Sequence, residues 1–347
     1  MRRVPIKTRQ GRRKTGPSIE DVARLAGVSA QTVSRVSTGA DPVRPVTRER
    51  VLLAMSQLGY SPNHAARALR NGTFGTIGLI AHRFERTGEA LTTEAVVEAA
   101  GAEDYSVTLL SVHDPETDGW EPAAHRLSHQ AIDGLVIIRA EQATPESLAL
   151  PAGMAVAVSD SRLVGRFSAV ASDQVQGSTD ATRHLLALGH RNIHHIAGPA
   201  SSEPALVRAA TWQRRLEDAG IRPPELWRGD WTAKSGYLIG QRIAEDPSIT
   251  AVYSANDEMA FGLIRALHEH GRRVPEDVSV VGFDGIALSE FSSPPLTTVK
   301  QDFQRVGHEL VRLVLEQIRS KVSVPRDRVL IPTELIVRGT TAHPAAR

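Results

Sequence analysis

A short run of hydrogen-bonding side chains near the N-terminus has the chemistry needed to read DNA. Gln31 and Arg35 are four residues apart, so one helix would carry both on the same face. In the major groove, glutamine pairs well with adenine and arginine with guanine. The residues beside them, Ser29, Ala30, Thr32 and Ser34, are short or able to form hydrogen bonds. These residue types predict a helix that enters the major groove with its first turn toward the bases.

Candidate catalytic residues are sparse by comparison. The chain contains no cysteine, which excludes a thiolate metal site, a cysteine nucleophile and a disulfide framework. His190, His194 and His195 lie close together, but adjacent residues of a strand point to opposite faces, so His194 and His195 cannot both bind one metal. Neither a GxSxG elbow nor a dinucleotide-binding fingerprint occurs. We therefore predict that the chain is not an enzyme and uses no metal or cofactor.

The elements around the DNA-reading residues have the pattern of a helix-turn-helix. Ser18 and Asp21 form a capping box that begins a short helix, and Gly27 ends it. The small core between this helix and the next is expected to contain Val22, Leu25, Val28 and Val33. A third helix is expected from Thr47, with an apolar face of Val51, Leu52, Ala54, Met55 and Leu58. A three-helix module without a DNA-binding role is the alternative.

The formal charge of +2 conceals a strong asymmetry. Residues 1–72 carry 14 Lys/Arg and 4 Asp/Glu, a balance of +10, whereas residues 73–347 have a balance of −8. Residues 1–17 predict a disordered basic arm, either a solvated tail or a segment that attracts phosphates non-specifically. A basic head on an acidic body indicates that the head meets a polyanion. Because no long apolar run, secretory signal or cysteine occurs, a cytoplasmic protein is expected, and its DNA-binding head would make it nucleoid-associated.

From Gly75 onward, short apolar runs alternate with longer segments of helical pattern. The predicted strands are Thr76–Ala81, Ser106–Val112, Asp133–Ile138, Met154–Val158, Asn192–Ala197, Thr250–Tyr253 and Val278–Gly282. The predicted helices are Glu89–Glu103, Gln174–Leu188, Glu203–Ala219, Ala233–Ala244 and Asp257–His270. This alternation indicates an α/β fold with parallel sheets covered on both faces. About 270 residues are too many for one small sheet, so two lobes are expected.

The segment SIEDVARLAGVSAQTVSRV, followed by TRERV, LGYSPN and AARAL, resembles the N-terminal module of the LacI family of bacterial transcription regulators. The resemblance implies a helix-turn-helix DNA-binding domain at residues 18–62 and a hinge helix at residues 63–72 that folds only on operator DNA. The implied base-reading residues are Ala30, Gln31 and Arg35. The implied phosphate contacts are Ser18, Ser29, Thr32, Ser34, Thr47 and Asn63, and the implied minor-groove contacts are Ala66 and Leu69. The alternative for Leu69 is an ordinary core leucine.

The same resemblance continues more loosely to about residue 343 and implies that residues 73–347 form a two-lobed core like that of periplasmic sugar-binding proteins. The implied lobes are a near lobe of about 73–171 and 303–330 and a far lobe of about 172–300 and 331–343, joined by three crossovers. The implied effector-binding residues of the cleft are His82, Arg86, Arg208, Trp231, Asn256 and Asp284. Arginine, asparagine and aspartate suit sugar hydroxyls, and a tryptophan face suits the C–H face of a pyranose.

Structural roles remain alternatives for these cleft residues. Trp231 is open to explanation as core packing, and Asn256 and Asp284 as helix caps or turn formers. His82 and Arg86 add cations where smaller or apolar groups are found in the lactose-responsive branch of the family, which favours a larger or acidic sugar.

The function implied by the resemblance is repression of transcription, with binding to a pseudo-palindromic operator released by a small sugar. Alternatives are a nucleobase or other co-repressor as the effector, or a sugar enzyme or transport binding protein with a DNA-like head. The last class lacks support because catalytic motifs and a signal peptide are missing. The chain ends at TTAHPAAR without a leucine-repeat tail, so a homodimer is expected rather than a tetramer. The identity of the sugar, the operator sequence and the regulated genes are left open.

Overall fold

A computed structural model describes two compact units, Met1–Phe74 and Gly75–Arg347. The residues that it describes are 16–37, 43–60, 73–81, 86–111, 131–138, 150, 153–159, 166–320 and 328–345. Within these ranges, no helix has the length and apolar character needed to cross a membrane.

The first unit contains three short helices, α1 (Ile19–Ala26), α2 (Ala30–Ser37) and α3 (Pro45–Leu58). The predicted capping box is present: Asp21 N lies 3.3 Å from Ser18 Oγ, and Ser18 N donates to Asp21 Oδ2 at 2.9 Å. Gly27 ends α1 with a φ of 62°, a left-handed conformation that glycine adopts at little cost. The turn from α1 to α2 therefore follows from local residue types.

The core of this unit corrects two expectations. Leu25 and Leu52 were expected in the core, but each side chain is 50% exposed. The buried face of α1 is Val22, Ala23 and Ala26, and that of α3 is Val51, Ala54 and Met55. At 3.6 residues per turn, Leu25 and Leu52 fall beside these faces. The third helix also begins at Pro45, two residues before Thr47, because proline is well suited to the first helical turn.

The second unit contains two six-stranded sheets. The first sheet has β1 (Thr76–Ala81), β2 (Ser106–Ser111), β3 (Gly134–Ile138), β4 (Ala155–Ser159), β5 (Ser168–Ser172) and β11 (Arg328–Ile331). Its strand order is β11-β5-β4-β3-β1-β2, with parallel pairing throughout. Helices α4 (Thr87–Ala102) and α10 (Phe303–Ser320) pack together beside it.

The second sheet has β6 (Ile193–Ala197), β7 (Trp227–Arg228), β8 (Ala251–Ser254), β9 (Ser279–Asp284), β10 (Thr297–Lys300) and β12 (Glu334–Ile336). Its strand order is β12-β10-β9-β8-β6-β7. Its helices are α5 (Gln174–Ala187), α6 (Glu203–Asp218), α7 (Ala233–Glu245), α8 (Asp257–Glu269) and α9 (Leu288–Phe291). The β10–β12 pair is antiparallel, which departs from the expected all-parallel sheets, because the final strand returns along the edge of the sheet.

The chain passes between the sheets three times, after β5, after β10 and after β11. The central strands β3, β4, β8 and β9 are buried along their whole length, as expected for parallel strands with helices on both faces. The unit is therefore a two-lobed α/β core, as the sequence predicted.

Candidate functional site

The two long side chains expected to read DNA are available on the surface of the first unit. Gln31 and Arg35 are both exposed, one turn apart on α2. Their helix is fixed from behind by Val33 and Val36, which are buried against α1 and α3. The buried side of α2 therefore holds it in place, while the opposite side carries groups that can reach base edges.

Other residues predicted to contact DNA have structural roles in the first unit. Ala30 is half-buried against the core. Ser29 caps α2: its Oγ accepts from Thr32 N at 3.2 Å and lies 2.9 Å from Thr32 Oγ1. Ser18 Oγ is bonded to Asp21 at 2.6 Å. Ser34 and Thr47 are half-buried. Asn63, Ala66, Leu69 and, in the second unit, His82 lie outside the described residues.

A cavity of about 240 Å³ lies between the lobes of the second unit. The described residues that line it are Arg86, Thr87, Gly88, Arg208, Asp230, Trp231, Thr232, Ala233, Asn256, Glu258 and Asp284. Arg86, Thr87 and Gly88 lie at the start of α4 in the first lobe, which is built on the first sheet. The others belong to the second lobe, which is built on the second sheet. Asn256 and Asp284 lie at the carboxyl ends of β8 and β9, where open α/β sheets bind ligands. The structure thus brings together all the predicted cleft residues that it describes.

Arg208 is the centre of the polar network in this cavity. Its side chain is 1% exposed, and its Nη1 lies 3.4 Å from Asp284 Oδ1. Its Nε donates to Gln174 Oε1 at 2.8 Å, and Nη1 also donates to the carbonyl of Ala255. The guanidinium lies 3.7 Å from the centre of the Phe283 ring. Several charge-assisted contacts therefore offset the cost of burying this cation.

Two buried amides extend this network to the points where the chain changes lobe. Gln301 Nε2 donates to Asp284 Oδ1 at 2.7 Å, and Gln174 Nε2 donates to Gln301 Oε1 at 3.2 Å. Gln174 begins α5 after the first crossover, and Gln301 follows β10 at the second. These glutamines were missed from sequence because no local pattern indicates that residues 127 positions apart will meet.

The backbone is unusual at two cavity residues. Trp231 has a φ of 76° and Asp284 a φ of 105°, and they are two of the three described residues other than glycine with positive φ. This conformation is rare for a bulky side chain and is retained only where the surroundings enforce it. A Cβ at Gly198 would lie 2.3 Å from the Trp231 ring, so the ring depends on that glycine for space. Such strain is typical of functional sites.

Asn256 caps a helix while it lines the cavity. Its Oδ1 accepts from Met259 N at 3.0 Å, which caps α8, and its Nδ2 donates to the Trp231 carbonyl at 2.9 Å. The structural role considered from sequence is therefore present. It fixes Asn256 against Trp231, and both remain in the wall of the cavity.

Arg86 enters the cavity with its charge already paired. Its Nη1 lies 3.4 Å from Oε1 of Glu89, a carboxylate that is completely buried. The cation that the sequence suggested for an acidic sugar is thus held beside an internal anion.

Asp257 lies beneath the cavity and supports the loop after β9. Its Oδ2 accepts from Ile286 N at 2.9 Å and from Ser289 Oγ at 2.7 Å, and its Oδ1 accepts from Thr298 Oγ1. Burial, helped by the negative charge of Asp284, raises the pKa of Asp257 from 3.8 to about 7. The carboxyl therefore keeps its proton in the folded protein over a pH range in which the unfolded chain has lost it.

This pKa shift predicts a pH dependence that Asp257→Asn should flatten. A carboxyl with a raised folded-state pKa contributes stability below its unfolded pKa of 3.8, and that stability is lost as the pH rises through about 7. Relative to wild type, the free energy of unfolding of Asp257→Asn should thus rise between pH 4 and 8, by roughly a few kcal/mol. Urea unfolding at several pH values measures it. Parallel curves for the two proteins would show that Asp257 is ionised throughout.

The histidine cluster is packed into the second lobe in separate environments. His195 stacks on Tyr253 with ring centres 4.5 Å apart, and burial lowers its pKa to about 3, so its ring is neutral. His194 accepts instead from Trp227 Nε1 at 3.1 Å. His190 lies 3.0 Å from Thr250 Oγ1 and from Ser279 Oγ. Their contacts are those of structural residues.

Comparison with known proteins identifies both units. Residues 18–63 match the model of bacterial regulatory proteins of the lacI family, and residues 182–341 match a periplasmic binding protein-like domain. The lactose operon repressor of Escherichia coli K12 is 34% identical over 337 residues, covering 94% of this chain and 91% of that protein. The PurR repressor of Haemophilus influenzae is 34% identical over 330 residues, covering 92% and 97%.

Solved structures give the same result. A crystal structure of the lac repressor dimer bound to operator and the anti-inducer ONPF has a TM-score of 0.86 at 33% identity, and covers 94% of this chain and 100% of that one. A complex of the regulator CelR with cellobiose has a TM-score of 0.71 at 31% identity, covering 93% and 99%. Since these similarities extend over nearly the whole chain, the protein belongs to the LacI family of bacterial regulatory proteins, which repress transcription by binding DNA and are not enzymes.

Proposed function

We propose that this protein is a homodimeric repressor whose binding to a pseudo-palindromic operator is released by a small sugar held in the cleft of its second unit. The observation that carries the proposal is the convergence of Arg208, Trp231, Asn256 and Asp284 on one cavity. The bacterial cytoplasm, in association with the nucleoid, is the place where such a protein would act.

Gln31 and Arg35 are the proposed base-reading residues, because both are long, exposed and one turn apart. Ala30 offers the DNA only a methyl group, which suits an apolar contact with a thymine methyl. The proposed phosphate contacts are Ser18, Ser29, Thr32, Ser34, Thr47 and Asn63, with Ala66 and Leu69 in the minor groove. A capping serine keeps acceptor capacity on its hydroxyl and stays close to the helix N-terminus, a favourable place for a phosphate.

The cavity supports a sugar better than a nucleobase. It combines a tryptophan ring with arginine, asparagine and aspartate, which match the apolar face and the hydroxyl groups of a pyranose. Its volume of about 240 Å³ gives room for a small ligand between the lobes. The CelR complex contains cellobiose. The similarity to PurR keeps a nucleobase as the second candidate.

Selection of bound sequences from random DNA tests the DNA-binding part of this proposal. We expect a consensus of two inverted half-sites, since a two-fold symmetric dimer reads such a sequence. Arg35→Ala should relax the preference at one position of each half-site and weaken binding by about 1–3 kcal/mol. Arg24→Ala, which removes an exposed arginine from α1, is the matched control and should leave the consensus unchanged. An unaltered consensus with Arg35→Ala would exclude Arg35 from base reading.

Once the operator sequence has been selected, it is used to identify the effector. Sugars and purines are screened by thermal shift, and those that raise the melting temperature are added to the DNA complex. An inducing sugar should weaken operator binding, and the operator should weaken sugar binding by the same factor, because coupling free energy is reciprocal. A ligand that strengthens operator binding would make the protein a co-repressor system.

A further inference from the structure

One carboxylate of the cavity is bonded to both lobes. Thr87 Oγ1, at the start of α4 in the first lobe, donates to Glu258 Oε1 at 2.5 Å. On the other side, Asn256 Nδ2 of the second lobe donates to Glu258 Oε2 at 2.8 Å. Thr87 and Glu258 are 171 positions apart in the sequence and belong to different lobes, so this bond joins the lobes across the cavity.

The position of Glu258 on its helix accounts for part of this arrangement. Glu258 is the second residue of α8, where a negative charge is stabilised by the helix dipole. A glutamate with that role alone would be equally well placed facing solvent. Glu258 instead reaches into the cavity and across to Thr87, so its carboxylate forms part of the wall that a ligand meets.

The charged residues around the cavity determine how the Glu258 carboxylate would act on a charged ligand. The described lining contains two arginines and three carboxylates, those of Asp230, Glu258 and Asp284. Arg86 is paired with Glu89, and Arg208 with Asp284. The contacts to Glu258 come from a hydroxyl and an amide, which carry no charge to balance it. Among the described residues no arginine is paired with Glu258, so an anionic ligand would approach a carboxylate that has no cationic partner among them.

We infer that Glu258 determines the effector class: it accepts hydrogen bonds from a neutral, hydroxyl-rich ligand and excludes an anionic one. This inference rests on the proposed effector site in the cleft. A ligand hydroxyl can replace the Thr87 or Asn256 donor at either carboxylate oxygen without a change of charge. A ligand carboxylate at the same place has no hydrogen to donate, and its charge repels that of Glu258. The expected class is opposite to the acidic sugar suggested by the sequence around Arg86.

The test compares neutral and anionic ligands, matched in shape for the two sugar pairs and sharing one ring system for the purine pair. Calorimetric titration of the full-length protein is carried out with glucose and glucuronate, galactose and galacturonate, and hypoxanthine and urate. For whichever pair binds, we expect wild type to favour the neutral member by at least about tenfold. Glu258→Gln keeps the size and an acceptor but removes the charge, so the preference should fall by about tenfold or more. A melting temperature near that of wild type verifies folding.

Thr87→Val is the matched control, because it removes the bond between the lobes and leaves the charge. It should change the affinities for the neutral and anionic members by the same factor. The inference is overturned if wild type prefers the anion or if Glu258→Gln leaves the preference for the neutral ligand unchanged. It is also overturned if Thr87→Val lowers that preference as much as Glu258→Gln does. Binding of the hypoxanthine pair alone would overturn the proposed sugar effector, while the preference within that pair would still decide the role of Glu258.

Discussion

Replacing Gly262 by alanine is expected to have the largest effect of any methyl group added at a glycine that the structure describes. Gly262 lies on α8, and a Cβ there would be 1.9 Å from the carbonyl oxygen of Ala233 and 2.6 Å from Tyr237 N. Gly236 on α7 makes the reciprocal contact, since its Cβ would be 2.1 Å from the carbonyl oxygen of Met259. All three atoms belong to the backbone, so no side chain can rotate away. The two helices would have to separate.

We expect Gly262→Ala to lower the free energy of unfolding by about 3 kcal/mol or more, at the upper end for overpacked sites. Urea unfolding of the full-length protein measures this change. Gly101→Ala is the matched control: it lies on α4 with nothing within 4 Å of the added Cβ, and alanine there should stabilise the helix by up to about 1 kcal/mol. Equal stability of Gly262→Ala and wild type would mean that α7 and α8 do not pack this closely.

Gly262→Ala should also distort the cavity, although Gly262 does not line it. Trp231 and Thr232 lead into α7, and Asn256 caps α8, so both walls move with these helices. The bond from Asn256 Nδ2 to the Trp231 carbonyl spans the gap between them at 2.9 Å. A shift of the helices lengthens that bond. Variants of Gly262 that still fold should therefore lose affinity for whichever sugar the wild type binds.

The architecture could be predicted from sequence wherever burial leaves a local pattern. Strands such as Gly134–Ile138 are apolar throughout because both faces are covered by helices, and they were predicted to within a few residues. The strand Ser168–Ser172 was missed, since its small and hydroxyl-bearing residues do not stand out from a loop. Helix Phe303–Ser320 was also missed as an element, although its buried positions recur at helical spacing.

The residues of the cavity could be predicted only in part, because a local pattern identifies single residues but not contacts between the lobes. Arg208, Asn256 and Asp284 lie in segments that resemble family motifs, so each could be named. Glu258 and Thr87 could not be paired, because their contact depends on how the lobes close. The exposure of Leu25 shows the converse limit: an apolar residue within a predicted core segment was placed outside by the exact phase of its helix.

Removing the charge of Arg208 is expected to produce the second large effect. Arg208→Met leaves Asp284 in a buried cavity without its guanidinium, and breaking such a pair costs about 3–5 kcal/mol. Asp284→Asn should also destabilise the protein, because the guanidinium then loses its carboxylate. The double variant should cost less than the sum of the two single variants, by about 0.5–3 kcal/mol, because neither partner is left alone. Urea unfolding of the four proteins completes the cycle.

We expect Arg208→Met to be destabilising because its ion pair is buried, not because its charged atoms are close. A second ion pair of the chain separates the effect of burial from that of distance. Arg265 Nε lies 2.9 Å from Glu269 Oε1, closer than the 3.4 Å between Arg208 Nη1 and Asp284 Oδ1. The Arg265 side chain, however, is 72% exposed. Water and salt screen the exposed pair, so Arg265→Met should leave the urea midpoint within experimental error of wild type. If Arg265→Met and Arg208→Met proved equally harmless, the network around Arg208 would not hold the cavity together. If only Arg208→Met is destabilising and abolishes sugar binding, the same buried pair supports both the second lobe and the proposed effector site.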